Sequence, residues 1–176
     1  LLGFAVLMFG MDAMSSAVSP LRDSPAFIEA LTSFSNPLLG IVIGLAITSV
    51  LQSASATVGI LQALSVTGAI TFDIAFPIIM GIAIGAAVPV LLSAFGTSVA
   101  GKRTAFVYLL IDVLGVIIWS IVFYSLNAII GIDFTGSTVS MADIAFINTA
   151  FRFATVVVLT PFIRLLEKLV CFLIKD

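Results

Sequence analysis

The sequence predicts an all-α, polytopic membrane protein. Of its 176 residues, 61% are hydrophobic and only 9% are charged, whereas soluble domains carry roughly 25% charged and about 45–50% apolar residues. The apolar residues fall in blocks long enough to cross a hydrocarbon core of about 30 Å, which takes about 20 helical residues. We therefore expect one membrane domain over residues 1–176, with about four transmembrane helices and a re-entrant helical hairpin.

The residue types that are rare or missing exclude several function classes. The chain has one cysteine, Cys171, and no histidine, which excludes an intrachain disulfide, a cysteine cluster, a histidine-dependent catalytic triad and a histidine-ligated metal. No basic patch of the kind that binds nucleic acid is present. We expect a protein that is not an enzyme, needs no organic cofactor and has the lipid bilayer as a partner.

The first predicted helix spans about Leu1 to Val18. It lacks the basic segment that opens a signal peptide, so it reads as a membrane helix. Residues 19–36 follow and contain two prolines and three charged side chains. This composition predicts an interfacial connection that includes a short amphipathic helix.

Residues 37–70 are apolar at both ends, but small polar residues, TSVLQSASAT, interrupt the middle. Each flank offers only about 14 apolar residues, which is short for a membrane span. Two half-helices that meet at a polar tip, as in a re-entrant hairpin, fit the pattern better. Non-helical backbone at membrane depth requires protein or a water-filled cavity around it.

The next segment, residues 71–99, carries Gly81, Gly85 and Pro89 in its middle. Proline removes a helix hydrogen bond and clashes with the preceding turn. We therefore expect a kink or an unwound patch at residues 85–89. It would form either a second wall of a binding site at the tip of the predicted hairpin or a purely structural bend.

Two long helices follow, over about 104–130 and 144–173, the second with a kink at Pro161. Basic residues lie in the Lys102–Arg103 turn and in the C-terminal tail, whereas the loop at 131–143 is acidic. Because Lys and Arg are enriched in cytoplasmic loops, we expect that turn and the C-terminus on the cytoplasmic side of a multi-pass protein of the cell membrane.

The polar tip of the predicted hairpin is the first candidate site, and its hydrogen-bonding residues are Thr48, Gln52, Ser53, Ser55 and Thr57. Their side chains can both donate and accept hydrogen bonds. The second half-helix would offer free N–H groups and a positive dipole end to an anion. Carbonyl groups at the end of the first half-helix could take a sodium ion instead, with Gln52 and Ser55 as possible sodium ligands. Alternatively, small residues simply permit close helix packing in lipid.

Asp112 and Arg152 form the second candidate site. A charge inside a membrane helix is costly and normally faces a partner or a cavity. Asp112 lies nine residues after Arg103 and Arg152 lies nine residues after Asp143, so each is about 13 Å from its own end of the membrane. In a core of about 30 Å the two depths nearly coincide. We expect a structural ion pair; the alternative is that Arg152 helps to bind an anion.

The stretch NPLLGIVIGLAITSVLQSASATVGILQAL resembles the signature region of type II sodium/phosphate cotransporters, whose repeats carry a Gln-Ser-Ser-Ser motif. The segments LLGFAVLMFGMDAMSSAVSPL and KRTAFVYLL also resemble this family, most closely the second repeat of bacterial members. The resemblance implies one repeat unit of a sodium-coupled inorganic phosphate symporter built from two inverted repeats. Its implied partners are phosphate or another small anion, sodium, and a second repeat or a second copy of the chain.

The chain departs from the family pattern at several polar positions. Ala54 stands where the motif has its central serine, and the segment 81–86 lacks the family's asparagine and threonine. Later helices of the family tend to carry histidine and asparagine, where this chain has Tyr108, Asp112, Asn148 and Arg152. The binding role implied by the resemblance carries over to Gln52, Ser53, Ser55 and Thr57. The alternative is a non-transporting membrane scaffold, or an engineered or divergent single repeat, that keeps the fold and has lost the site.

Overall fold

The computed structural model describes residues 2–18, 36–131 and 136–174. Its helices are α1 (Leu2–Val18), α2 (Pro37–Leu51), α3 (Ala54–Ser65), α4 (Phe72–Ala94), α5 (Val99–Ile130), α6 (Met141–Leu159) and α7 (Ile163–Leu173), with a 3₁₀ turn, Thr160–Phe162, between the last two.

The all-α class is confirmed within the described ranges, which contain no β-strand; an isolated antiparallel bridge joins Thr71 and Thr138. Among the described helices, α4 and α5 are long and apolar enough to cross a membrane. The count of about four transmembrane helices and the re-entrant hairpin stay predictions. The predicted interfacial connection at 19–36 lies outside the described residues except for Asn36, whose side chain caps α2.

Helix α4 is the buried centre of the described structure. Most of its length is buried, whereas only a small part of α5 is, and α2, α3, α5 and α6 all contact α4. Its isoleucines form one apolar cluster with Leu61 of α3 and Ile144 of α6. Its Phe76 forms a second cluster with Val116 of α5 and Phe151 of α6. Since α4 is apolar on every side, burial among other helices is its favourable position.

Glycines bring the backbones of α2 and α4 into contact. A Cβ atom on Gly44 of α2 would collide with the carbonyl oxygen of Ile78, and one on Gly81 of α4 would collide with that of Ile41. Small residues at four-residue spacing permit this approach in membrane proteins, where van der Waals packing rather than the hydrophobic effect drives helix association. The glycines predicted to break α4 therefore form its packing surface.

The contacts also give the direction of α2 relative to α4. Gly40 lies against Pro77, and Thr48, two turns further along α2, lies against Gly85. The two helices therefore run in the same direction, and α2 starts near the end of the bundle where α4 starts.

Helix α3 ends at that same end of the bundle. Near its C-terminus, Gln62 Nε2 donates a hydrogen bond to the carbonyl oxygen of Met141 at 2.9 Å. The N–H of Val139 donates to the carbonyl oxygen of Ile70 at 3.0 Å. The C-terminus of α3 is thus fixed beside the N-termini of α4 and α6.

Helix α5 runs antiparallel to α4, because Ser120 contacts Met80 (Oγ to Sδ, 3.4 Å) and Phe123 packs on Phe76 three residues later. Lys102 and Arg103, which were expected in a turn, lie within α5. That turn was placed too late, because Gly101 is accommodated in the first helical turn. Arg103 donates to the carbonyl oxygen of Ile174 from Nε (3.1 Å) and from a terminal nitrogen (2.9 Å). The basic segment and the end of α7 therefore share one end of the bundle.

A glycine and a threonine join α5 to α6. A Cβ atom on Gly115 would lie 2.5 Å from Cγ2 of Thr155. One turn along α5, the indole Nε1 of Trp119 donates a hydrogen bond to Thr155 Oγ1 at 3.1 Å. The hydroxyl of Thr155 in turn donates to the carbonyl oxygen of Phe151 at 2.7 Å.

A kink or an unwound patch was expected at residues 85–89; the unwound patch is absent, and the kink stays a prediction. Helix α4 is continuous although it contains Pro77 and Pro89. The ring of a helical proline crowds the carbonyl four residues earlier, which for Pro89 belongs to Gly85. On the N-terminal side of Pro89, Gly85 is packed against Thr48 of α2.

The last predicted helix, 144–173, consists of two helices. Pro161 lies in the 3₁₀ turn between α6 and α7, where the sequence placed a kink. Helix α6 begins three residues earlier than predicted, because Ser140 and Asp143 form a capping box at its start.

Substitution of Gly44 by alanine should lower stability, because the added methyl group must displace the backbone of Ile78. Overpacking of this kind costs about 1–3 kcal/mol. Thermal unfolding of the detergent-solubilised protein, followed by circular dichroism, measures the loss. Gly96→Ala is the control, because no atom lies within 4 Å of the added Cβ. Equal melting temperatures for the two variants would contradict the close contact.

Candidate functional site

Helices α2 and α3 are separated by a two-residue turn at Gln52 and Ser53. Gln52 ends α2 in the left-handed region, with φ 52° and ψ 27°, and within the described chain it is the one non-glycine residue with a positive φ. Ser53 returns the chain to an extended conformation, with φ −148°. For residues other than glycine the left-handed region costs roughly 1–2 kcal/mol, and such strain often marks a functional site.

The serines of the tip organise the start of α3. Ser53 is the N-cap, and its Oγ accepts a hydrogen bond from the N–H of Ala56 at 3.3 Å and lies 3.3 Å from Oγ of Ser55. The Thr57 hydroxyl donates to the carbonyl oxygen of Ser53 at 3.0 Å. The polar run thus breaks and restarts the helix, because serine satisfies a free N–H group at an N-cap.

A pocket of about 480 Å³ lies beside this tip, between α3, α4, α5 and α6. Small apolar residues form part of its wall. Its polar lining consists of Ser55, Gln62, Tyr108, Asn148, Thr149 and Arg152. The structure therefore places one serine of the predicted tip and the predicted arginine around the same cavity.

Arg152 is the cationic residue of this pocket. Its Nε donates a long hydrogen bond, 3.4 Å, to Oδ1 of Asn148 one turn earlier on α6. A guanidinium carries five N–H donors and binds oxyanions in bidentate geometry. One weak contact leaves most of that donor capacity to a ligand.

Asp112 is buried, with 7% of its surface exposed, and its Oδ2 has no hydrogen-bond partner. Arg152 attracts the carboxylate electrostatically, but among the described residues no direct ion pair joins the two side chains. The two residues share a region of the bundle, as their predicted depths required. The structural ion pair between them stays a prediction.

Two further predicted site residues, Thr48 and Thr57, face packing surfaces, and a third, Gln52, is exposed. Thr48 is fully buried against Gly85, and its Oγ1 has no hydrogen-bond partner. Thr57 is buried and lines a separate apolar cavity of about 80 Å³ between α2, α3 and α4. Gln52 is exposed at the turn and does not line the larger pocket. Binding roles for these residues stay predictions.

The pocket also brings together four residues for which no binding role was predicted, Gln62, Tyr108, Asn148 and Thr149. On α6 a signal was available, since positions 145, 148, 149 and 152 follow the three- and four-residue spacing of one helix face. For Gln62 and Tyr108 no local pattern exists, because their helices meet α6 only in the tertiary structure.

The left-handed turn predicts different effects of two substitutions at Gln52. Glycine adopts this conformation freely and a β-branched residue does not. The melting temperature of Gln52→Gly should therefore exceed that of Gln52→Val, with a stability difference of about 1–2 kcal/mol. Equal stability of the two variants would show that the backbone at this position is not left-handed.

A double-mutant cycle tests the interaction of Asp112 with Arg152. Thermal stability is compared for the wild type, Asp112→Asn, Arg152→Gln and the double variant. Electrostatic attraction without direct contact predicts a coupling energy of about 1 kcal/mol, near the lower end of values for residues in one network. Strictly additive losses would show no interaction, and a coupling of about 3–5 kcal/mol would indicate a closed buried pair.

Comparison with known proteins places these features in a family. The model of the Na⁺/Pi-cotransporter family matches residues 6–136. A Bacillus subtilis (strain 168) protein, described as uncharacterized protein YqeW, is 25% identical over 174 residues, which cover 98% of this chain and 56% of that protein. Sodium-dependent phosphate transport protein 2B from Homo sapiens and from Pongo abelii are each 36% identical over 91 residues, covering 50% of this chain and 13% of theirs.

The chain thus spans about half the length of the Bacillus relative and a smaller part of the other two. No solved structure matches it. The family match includes helices α2 to α5 and the Gln52–Ser53 turn, which is the region where the sequence resembled sodium/phosphate cotransporters. This chain therefore belongs to the Na⁺/Pi-cotransporter family.

Proposed function

We propose that the chain is a repeat unit of a sodium-coupled symporter for inorganic phosphate, with its anion site in the pocket beside the Gln52–Ser53 turn. Membership of the Na⁺/Pi-cotransporter family supports a role in phosphate transport. The observation that carries the assignment is the pocket itself, in which the Ser55 hydroxyl and the Arg152 guanidinium face one cavity.

The pocket offers a phosphate ion complementary groups from α3 and α6. Arg152 supplies charge-assisted hydrogen bonds, which are about twice as strong as neutral ones. The hydroxyls of Ser55 and Thr149 can donate to phosphate oxygens. The N-terminus of α3 adds the positive end of a helix dipole, which favours an anion.

Sodium would bind at the C-terminal end of α2, next to the anion pocket, with Ser55 between the two sites. Gln52 ends α2, so the last carbonyl groups of that helix lack intrahelical partners. Together with the amide oxygen of Gln52 and the hydroxyl of Ser55 they form a set of oxygen donors, which suits a hard cation. Cation and anion would then lie close to each other, and each would lower the electrostatic cost of binding the other.

The lengths and contacts of α2 and α3 support a re-entrant hairpin. Helix α2 has 15 residues and α3 has 12, or about 22 Å and about 18 Å, both shorter than a core of about 30 Å. Their contacts with α4 and α6 bring both open ends to one end of the bundle. We assign the opposite end, with Lys102 and Arg103, to the cytoplasm.

An exposed non-helical turn cannot face lipid. Gln52 is exposed in the described chain, so a second repeat or a second copy of the chain would cover it in the assembled transporter. The competing function is a membrane scaffold that keeps this fold without transport.

Uptake of radiolabelled phosphate into proteoliposomes tests the proposal, with an inward sodium gradient compared with an equal potassium gradient. Loss of a hydrogen bond to a charged group costs about 1.5–3 kcal/mol, so Ser55→Ala should reduce sodium-dependent uptake about tenfold or more. Arg152→Gln should abolish it. Gln52→Gly should keep the fold and weaken the sodium dependence.

Ser49→Ala is the matched control for these variants. Ser49 lies one turn before the tip, and its hydroxyl already donates to the carbonyl oxygen of Leu45 at 2.7 Å, so its loss should leave uptake unchanged. Equilibrium binding of phosphate to the same purified protein separates binding from transport. Absence of both sodium-dependent uptake and phosphate binding would favour the scaffold.

A further inference from the structure

Asp112 is a charged group that the proposed binding scheme does not use. It is more than nine-tenths buried, and its Oδ2 has no hydrogen-bond partner. A buried polar atom without a partner costs free energy, and in native structures it calls for a functional or structural explanation. Asp112 does not line the pocket, but Tyr108, one turn earlier on the same helix, does.

The pocket arginine is the group that acts on this carboxylate. Arg152 attracts Asp112 electrostatically without a direct contact, and its own described hydrogen bond, to Asn148, is long at 3.4 Å. The guanidinium therefore makes one weak hydrogen bond and is attracted to a carboxylate that lies outside the pocket lining. An anion that enters the pocket competes with Asp112 for this one cation.

Helices α4, α6 and α7, which contact α5, and α5 itself carry few other ionisable groups. Helices α2 and α3 contain none. Helix α4 carries Asp73 in its first turn, and α6 carries Asp143 at its start in addition to Arg152. The remaining ionisable groups are Lys102, Arg103, Tyr108 and Tyr124 on α5 and Arg164, Glu167, Lys168 and Cys171 on α7. Among these groups, Arg152 is the one whose charge acts on Asp112.

We propose that Asp112 is a positioning residue that sets the anion affinity of the pocket, because its charge competes with the bound anion for Arg152 and its protonation releases Arg152 to the anion. This inference rests on the proposed phosphate site. Binding of the anion and binding of a proton to Asp112 then favour each other, since coupling between two sites is reciprocal. Phosphate binding would raise the proton affinity of Asp112 by the same factor by which protonation of Asp112 raises the affinity for phosphate.

The coupling has a definite sign. An ionised Asp112 draws the guanidinium toward α5 and lowers the positive potential in the pocket, so anion binding is weaker at high pH. A protonated or amide side chain at this position leaves the full charge of Arg152 to the anion. The effect is larger for the phosphate dianion than for the monoanion, because the electrostatic energy scales with the charge of the ligand.

The test measures the dissociation constant of inorganic phosphate at pH 8 and pH 5.5 for the wild type and for Asp112→Asn. The same measurement with sulfate, which is a dianion at both pH values, separates the titration of Asp112 from that of phosphate. At pH 8 the variant should bind about tenfold more tightly than the wild type, within the range of roughly 5- to 150-fold that is typical of coupled sites. At pH 5.5 the two proteins should bind with similar affinity.

Two further variants keep the test decisive. Asp112→Glu retains the charge and should restore a wild-type pH profile, which a merely structural role for Asp112 would not require. Asp112→Ser is neutral and smaller, and should reproduce the tighter binding at pH 8 if Asp112→Asn fails to fold.

A change in affinity by the same factor at both pH values, or no change, would overturn the role of Asp112 while leaving the phosphate site intact. Absence of phosphate binding by the wild type at both pH values would overturn the proposed function itself.

Discussion

Backbone contact between α2 and α4 is the constraint on which the rest of this structure depends. Gly44 and Gly81 leave no room for a side chain between the two helices. Because α2 is fixed along α4 in a parallel direction, the position of its C-terminus is fixed too. The turn at Gln52 and Ser53 is therefore placed by packing at Gly44, about two turns earlier on α2, and the first turn of α3 follows from it. A substitution at the glycines would move the tip without touching it.

The polar chemistry of the molecule is arranged around this packed pair rather than within it. Helix α4 contributes little more than Ala86 to the pocket, so the polar groups come from α3, α5 and α6. That division explains how segment 81–86 can lack the polar residues of the family pattern and still keep the fold. The site then relies on Ser55 and Arg152, which lie on helices with more exposed surface than α4.

Several features were predictable from the sequence because they depend on local chemistry. The break at residues 52–53 follows from a polar run in an apolar segment, and the interruption at Pro161 follows from the missing proline N–H. The continuity of α4 through Pro89 was not predictable, because the local rule for a proline inside a helix predicts a kink or a break. The pocket could not be derived either, since Gln62 and Tyr108 meet α6 through tertiary contacts. The sequence predicted that Asp112 and Arg152 lie at nearly the same depth in the membrane. Whether their side chains touch depends on side-chain conformations, which residue spacing does not determine.

The hydrogen bond from Trp119 to Thr155 gives the chain an intrinsic optical probe. Trp119 is the single tryptophan of the sequence. Its indole N–H donates to Thr155 of α6, and Trp119 lines an apolar cavity together with Phe123 and Phe151. Indole emission depends on hydrogen bonding and on local polarity. Any conformational step that separates α5 from α6, or admits water between them, would therefore alter the fluorescence spectrum of the unlabelled protein, and the kinetics of such a step become accessible without an introduced dye.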